Sequence, residues 1–577
     1  MAQSRTDRLM DDHAEQPQSQ SRHVVRSALA VASWTIVSRI TGFVRAVVIA
    51  GVLGPTYLGN TYQATNSIPN LTFYFLTGSL FVTLLVPPLV AHIDLDETEA
   101  SQRLAGGFLG TAMAVLGAVA VAIVLGGPLV LGLLSSGVAN PETAAAQLRV
   151  GWVLIAIFMP QVLLYAIAGT SSAVLNAHGR FALAAAAPAL ENLGIIVTLI
   201  ASGLMFGTGA TLASVQTPQL LLLGLGTTGA VAAHAAMVWL GTYRLGVRVI
   251  PRAGWRNPEL RGLFRRAVSS LGYAGLEAFG TFAALIVANS VRGGVVAFQL
   301  AIHFSYMAFA IGAHPIGVAL LPRLSRLHEQ RRQQSFRDEL VHGFGLTFFV
   351  TVPVCLALVV LAFPLARAVS FGDMGRDAGV VLISASLATV GLSLLGRCGR
   401  YVCTQASYAR HDVRTPLNGM IIRTVASVGL MVAILLWTEG WLTLALLGAA
   451  VALGELTSAV YLAHRLKSTL PSGRERLGPP FLRALTAAAV MIGPAYLITS
   501  LLSNELTGPS SELISVLAGA ALGAVLFVGL QAALRSPELT DFLRSIRPAP
   551  APSGAPQTIE PASMALVGES RERSDDS

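Results

Sequence analysis

The sequence predicts an all-α polytopic membrane protein with about 14 transmembrane helices. Three observations carry this. Of 577 residues, 53% are hydrophobic and 12% charged, against about 25% charged in a soluble globular protein. The mean hydropathy is +0.64. Apolar runs of about 18 residues or more recur from Ser27 to Ala533, each long enough to cross a hydrocarbon core about 30 Å thick.

The elements follow in order. Residues 1–26 are polar, mixed in charge and without the apolar core of a signal peptide, so they are expected to form a disordered cytoplasmic tail. Runs centred near Ile40, Val82, Val119, Phe158, Ile196 and Val231 give a first lobe of six helices, 27–242. Residues 243–266 carry seven arginines with Trp255, Leu260, Leu263 and Phe264 among them. That pattern suits a basic amphipathic linker lying on the inner leaflet. Runs near Phe282, Ala310, Val354, Val390, Val428 and Leu447 give a second lobe, 267–466, and runs near Met491 and Leu522 give two more helices in 467–535. The stretch 536–577, with "RPAPAPSGAP" and "ESRERSDDS", reads as a second disordered tail.

Charge sets the orientation. The loops Tyr243 to Arg266, Arg323 to Arg337 and Arg465 to Arg476 are basic, whereas Phe206 to Thr217 and Ser503 to Glu512 contain no Lys or Arg. Positive residues stay on the cytoplasmic side, so both termini are expected in the cytoplasm.

Several function classes fall away. The net charge of +9 is spread between apolar runs rather than gathered on one domain, which argues against a nucleic-acid partner. Cys355, Cys398 and Cys403 all sit in apolar runs, with neither disulfide nor metal spacing. "GLGTTG" (Gly224 to Gly229) matches a dinucleotide-binding fingerprint by letter but has no strand before it; small residues packing helices explain it better. With no P-loop and no HExxH motif, the expectation is a transporter rather than an enzyme, without a cofactor, driven by the membrane potential or a cation.

The halves echo each other. "TLLVPPL" (Thr83 to Leu89) and "ALLPRL" (Ala319 to Leu324) close the second and eighth runs, with Pro87 and Pro322 235 positions apart. Arg180 and Arg410 are 230 apart, and Asn192 and Asn418 are 226 apart. A nearly constant offset on one side of the membrane suggests two parallel repeats, with a site at the midplane between them.

The first run contains Arg39 and Arg45 in "TIVSRITGFVRAVVIAGVLG". An arginine at mid-membrane costs roughly 2.5–3.5 kcal/mol, so two of them favour a wet, protein-lined interior. Six residues place them about 240° apart and about 9 Å along a straight helix, and Gly42 between them is a candidate break. Other polar residues at this depth are Asn60, Asn66, Asn70, Glu191, Asn192, Glu277, Asn289, His303, His314, Arg397, Arg400 and Glu455. Glu191 and Glu277 are candidates to neutralise arginines, and His303 to titrate.

"SRITGFVRAVVIAGVLG", "NSIPNL" (Asn66 to Leu71), "VALLPRLS" (Val318 to Ser325) and "YARHDVRTPLN" (Tyr408 to Asn418) resemble the MurJ/MviN family of lipid II flippases, in the multidrug/oligosaccharidyl-lipid/polysaccharide exporter superfamily. The resemblance covers about residues 28–535 and is to its divergent, actinobacterial type. It implies two six-helix lobes around a cationic cavity, two extra helices forming a groove for a polyprenyl tail, and a diphosphate held by Arg39 and Arg45. Asn60, Asn66, Glu277 and His303 would complete the substrate site. The chain departs from the pattern where many members carry charges: Asn60 replaces an acidic residue, Ser67 a basic one, "LTFYF" (Leu71 to Phe75) lacks an arginine, and His303 and Phe304 stand where an Asp-Arg pair is common.

The implied function is movement of lipid II from the inner to the outer leaflet by alternating access, with cell-wall synthases and membrane lipids as partners. Three alternatives stay open: export of another polyprenyl-linked glycan, cation-coupled drug export through Glu277 or Glu191, and a non-transporting cell-wall scaffold.

Overall fold

The computed structural model describes residues 30–77, 85–255, 257–471, 473, 477–506 and 511–546. The expected tails at 1–26 and 547–577, and the expected span centre Val82, lie outside them. The N-terminal half runs α1 (Ala30–Leu53), α2 (Tyr57–Thr77), α3 (Val86–Asp94), α4 (Thr98–Leu125), α5 (Gly127–Leu134), α6 (Pro141–Phe158), α7 (Gln161–Ala177), α8 (Phe181–Phe206) and α9 (Thr217–Arg244). The C-terminal half continues with α10 (Pro258–Asn289), α11 (Gly294–Ile311), α12 (Ala313–Glu329), α13 (Gln333–Val360), α14 (Ala362–Val369), α15 (Asp377–Ala409), α16 (Arg414–Trp437) and α17 (Gly440–Thr469). Then come α18 (Gly478–Glu505), α19 (Ser511–Ala533) and α20 (Pro537–Ile546).

Among the described residues, 13 helical stretches are long and apolar enough to cross a membrane. They include Pro141–Ala177, in which α6 and α7 are separated at Met159–Pro160. α2 is not among them, being too polar for that test because it carries Asn60, Gln63, Asn66, Ser67 and Asn70. Its 21 residues still span about 31 Å at 1.5 Å per residue.

Local chemistry starts and stops these helices. Asn140 caps α6, its Oδ1 accepting the N–H groups of Glu142 and Thr143 at 2.8 and 3.2 Å. Asp412 caps α16 in the same way, accepting from Arg414 and Thr415 at 3.0 Å each. The helices before the two repeat loops end alike. At the first, the Arg180 N–H bonds to Leu175 O and the Gly179 N–H to Asn176 O, with Gly179 at φ 70°. At the second, the Asp412 N–H bonds to Ser407 O and the His411 N–H to Tyr408 O, with His411 at φ 59°. Both are Schellman caps, and Gly179 and His411 are 232 positions apart. Backbone geometry therefore pairs Arg180 with Asp412, two residues from the partner that residue type alone suggested. The packing repeats too: α9 packs on both α7 and α8, and α17 on both α15 and α16.

Three expectations change. Residues 247–254 form no helix, with the Arg252 N–H bonded to Gly106 O at 2.9 Å and the Trp239 indole donating to Val249 O at 3.1 Å. Residues 258–266 of the expected linker form the first turns of α10, Tyr243 and Arg244 end α9, and Leu260 is fully buried. α1 is continuous through Gly42, which seats the Asn192 amide instead; that amide donates to Ser38 O and Thr41 Oγ1 at 3.2 Å each. Residues 537–546, placed by sequence in a disordered tail, form α20. Arg483 bonds Glu538 at 2.7 Å, Leu539 is buried and Phe542 lies against Phe349.

The halves are joined at one end. Asn60 donates to Val291 O at 2.8 Å and accepts from the Val295 N–H at 3.0 Å. Arg292 donates to Pro55 O at 3.0 Å, and Gln147 and Asn289 exchange amide bonds at 3.0 and 3.2 Å. The 370–376 segment presses Phe371 against Gly51 and Asp373 against Gly209, where any Cβ would collide with it. Toward the opposite end, residues 32–37, 39 and 40 of α1 are exposed, while 46 and 48–53 are buried.

Candidate substrate cavity

A cavity of about 290 Å³ lies between the halves. α1 and α2 contribute Arg45, Asn66 and Asn70; α10, α11, α15 and α16 contribute Glu277, His303, Arg397 and Arg423. A larger hollow of about 1610 Å³ opens at the sealed end. Its charged residues are Arg292, Arg376, Asp373, Asp377 and Glu439, two cations against three carboxylates, so it offers an anion no attraction. The smaller cavity has the opposite balance.

On the N-terminal wall, Arg45 lies 3.8 Å from Glu191. Glu191 is buried and also accepts from Tyr165 Oη at 3.1 Å and meets His234 Nδ1 at 2.7 Å. Asn70 donates to Tyr165 Oη at 3.3 Å. This chain of contacts holds one side of Arg45 and leaves its side chain partly open to the cavity, at 23% exposure. His303 donates to Gln299 O through Nδ1 at 2.7 Å, and the Gln299 amide donates to Ser67 Oγ at 3.0 Å. Phe43 of α1 meets Phe304 of α11 edge-on, with centroids 4.8 Å apart.

On the C-terminal wall, fully buried Glu455 is shared by three arginines: Arg400 at 2.7 Å, Arg423 at 3.0 Å and Arg397 at 3.6 Å. Arg423 also reaches Glu277 at 3.3 Å, and Arg400 donates to Tyr273 Oη. Taking both partners' charges out of water is costly, and the cost is recovered only when each charge is met.

The structure thus brings Arg45, Asn66, Glu277 and His303 to one cavity. Asn60 is elsewhere, completely buried in the seal. Arg39 is exposed on α1 outside the cavity lining. Sequence reasoning named Arg397, Arg400 and Glu455 as polar residues at depth but did not join them, and it missed Arg423 and His234. The i, i+3 spacing of Arg397 and Arg400 puts them on one helix face, the one local signal of a shared partner. Cys355, Cys398 and Cys403 are buried free thiols.

A multi-pass helical bundle whose halves meet around a buried charged cavity defines a membrane transporter. A family model described as "Lipid II flippase MurJ" matches residues 49–517, and the chain belongs to that family of flippases. A probable lipid II flippase MurJ of Vibrio cholerae is 26% identical over 439 residues, covering 74% of this chain and 80% of the relative. One of Bdellovibrio bacteriovorus is 26% identical over 541 residues, covering 91% and 98%. A solved structure of lipid II flippase MurJ in an inward closed conformation matches the fold at TM-score 0.68 and 15% identity, over 88% of this chain and all of that one.

Proposed function

We propose that this protein moves lipid II, the polyprenyl-diphosphate-linked peptidoglycan precursor, from the inner to the outer leaflet of a bacterial plasma membrane. The observation that carries the reading is the cavity between the halves, with Arg45 on one wall and Arg397 and Arg423 on the other. Bare diphosphate crossing hydrocarbon would cost tens of kcal/mol; guanidinium donors in a protein-lined space remove most of that cost.

Alternating access fits the two ends. With the basic loops placed in the cytoplasm, the end sealed by Asn60, Arg292 and Asp373 is the outer one. The exposed first half of α1 then faces the inner leaflet. At about 30 Å³ per water, 290 Å³ has room for a diphosphate and not for a glycan-peptide headgroup. Loading therefore requires α1 and α11 to part around Phe43 and Phe304. An inside-negative potential assists outward movement of an anion by about 2.3 kcal/mol per charge per 100 mV. Glu191 and Glu277, the carboxylates a cation-coupled exporter would use, are already engaged with Arg45 and Arg423, which favours the potential as the driving force.

The test is rescue of a bacterium depleted of its own lipid II flippase, with outer-leaflet lipid II quantified. Restored growth with restored outer-leaflet lipid II supports the reading. Correct membrane insertion without either result refutes it and favours another polyprenyl-linked glycan.

A further inference from the structure

We infer that Arg397 is the second pole of the anion site, receiving one phosphate of a polyprenyl diphosphate while Arg45 holds the other from the opposite half. This rests on the substrate reading above and adds to it a residue on α15.

The cluster around Glu455 is out of balance. Arg397, Arg400 and Arg423 stay protonated at any physiological pH, and among the described residues the carboxylates that face them are Glu277 and Glu455. One positive charge is left over inside the membrane. It can be located. Arg400 has the shortest contact to Glu455 and a second partner in Tyr273; Arg423 has Glu455 and Glu277. Arg397 has only the longest contact to a carboxylate already engaged twice. Its guanidinium donates no hydrogen bond among the described residues, and Nη1 is buried without a partner. Its other contact is the face of Tyr306, 4.4 Å from the ring centroid.

A purely structural role, neutralising Glu455, does not explain this placement, because two closer arginines already do so. Arg397 is 6% exposed and lines the cavity. A buried, charged donor left unmet is expensive, and an arriving phosphate would meet it with the fork geometry that guanidinium matches. A monophosphate offers one phosphate and satisfies one pole. A diphosphate offers one for each wall, so binding it would draw the two halves together through the cavity.

The test uses the full-length chain in phosphatidylcholine nanodiscs, which present no anionic lipid, and displacement of a fluorescent polyprenyl diphosphate by polyprenyl diphosphate, polyprenyl monophosphate or inorganic pyrophosphate. Wild type should prefer the lipid diphosphate to both others. Arg397→Gln should weaken diphosphate binding roughly 10- to 100-fold, the range for one charge-assisted bond, and change monophosphate binding little. An unchanged preference in a folded Arg397→Gln variant overturns the inference. Should that variant not fold, Arg397→Lys decides: it keeps the charge beside Glu455 but loses the fork, and it should still lose about tenfold for the diphosphate; wild-type selectivity overturns the inference. Pyrophosphate competing as well as the lipid overturns the lipid assignment. Wild type binding neither polyprenyl ligand overturns the substrate reading itself, a result distinct from an unaffected Arg397→Gln.

Discussion

Arg423 lies 3.3 Å from Glu277, tying α16 to α10 beside the cavity. The pair joins a carboxylate that sequence singled out to an arginine that sequence passed over, and it casts Glu277 as a charge partner rather than a free proton carrier.

Replacing Glu277 by Gln therefore has a distinctive expected outcome. The surplus positive charge on the C-terminal wall rises from one to two, so polyprenyl diphosphate should bind roughly 3- to 10-fold tighter, as for a partly screened charge, and leave more slowly. Displacement binding measures this directly. A cation-coupled exporter predicts instead unchanged anion affinity with transport abolished.

Glu455 should matter for folding more than for binding. Glu455→Gln leaves Arg397, Arg400 and Arg423 without their shared counter-charge, and breaking a buried ion network costs about 3–5 kcal/mol. The variant should show a clearly lowered unfolding temperature in detergent. An unchanged melting curve would mean that the cluster is wetter and weaker than its burial indicates.

The seal can be loosened at Asn60. Asn60→Ala leaves the Val295 N–H unmet in a buried site and Val291 O with the Gly294 N–H alone, at about 1–3 kcal/mol, equivalent to roughly 5- to 100-fold in the closed-to-open ratio. A cysteine introduced as Asn66→Cys, on the cavity wall, should then react faster with an impermeant maleimide added outside. The three native thiols are buried and should stay silent. Equal labelling rates with and without Asn60→Ala would show that this contact does not hold the outer end shut.

Much of the fold was legible because span length and loop charge are local properties. α2 was not legible as a run, the second apolar run being centred on Val82, and its polar face has no meaning until α10 and α11 are placed against it: Asn60 looks like a cavity residue by depth and turns out to bond the backbone of the opposite half. The site was partly legible. Arg45 and His303 stand out as polar groups in apolar runs, and both line the cavity. Glu455, by contrast, meets arginines 32, 55 and 58 residues away on two other helices, a pairing that only helix packing creates. The docking of α20 depends likewise on Arg483 and Phe349, far off in sequence.

That docking should respond to acid. Burial alone would raise the Glu538 carboxyl, but the Ser536 hydroxyl at 2.6 Å and Arg483 at 2.7 Å outweigh it and hold the group below its ordinary 4.5. A lowered folded-state value stabilises fully above 4.5 and is lost as pH falls through the lowered value. A nitroxide on Arg544→Cys should thus be immobile at neutral pH and become mobile in acid below 4.5. Adding Glu538→Gln should make it mobile at both. A label equally immobile in both variants at all pH values would contradict the proposed anchor.

Arg45 of α1, on the cavity wall, is the residue on which carriage of a lipid diphosphate turns, and Arg39 lies on the same helix outside that wall. The most direct measurement is outer-leaflet lipid II in the flippase-depleted bacterium, comparing wild type with the Arg39→Ala/Arg45→Ala double variant at matched membrane levels. Wild type should restore outer-leaflet lipid II and the double variant should not. Equal restoration by both would contradict it.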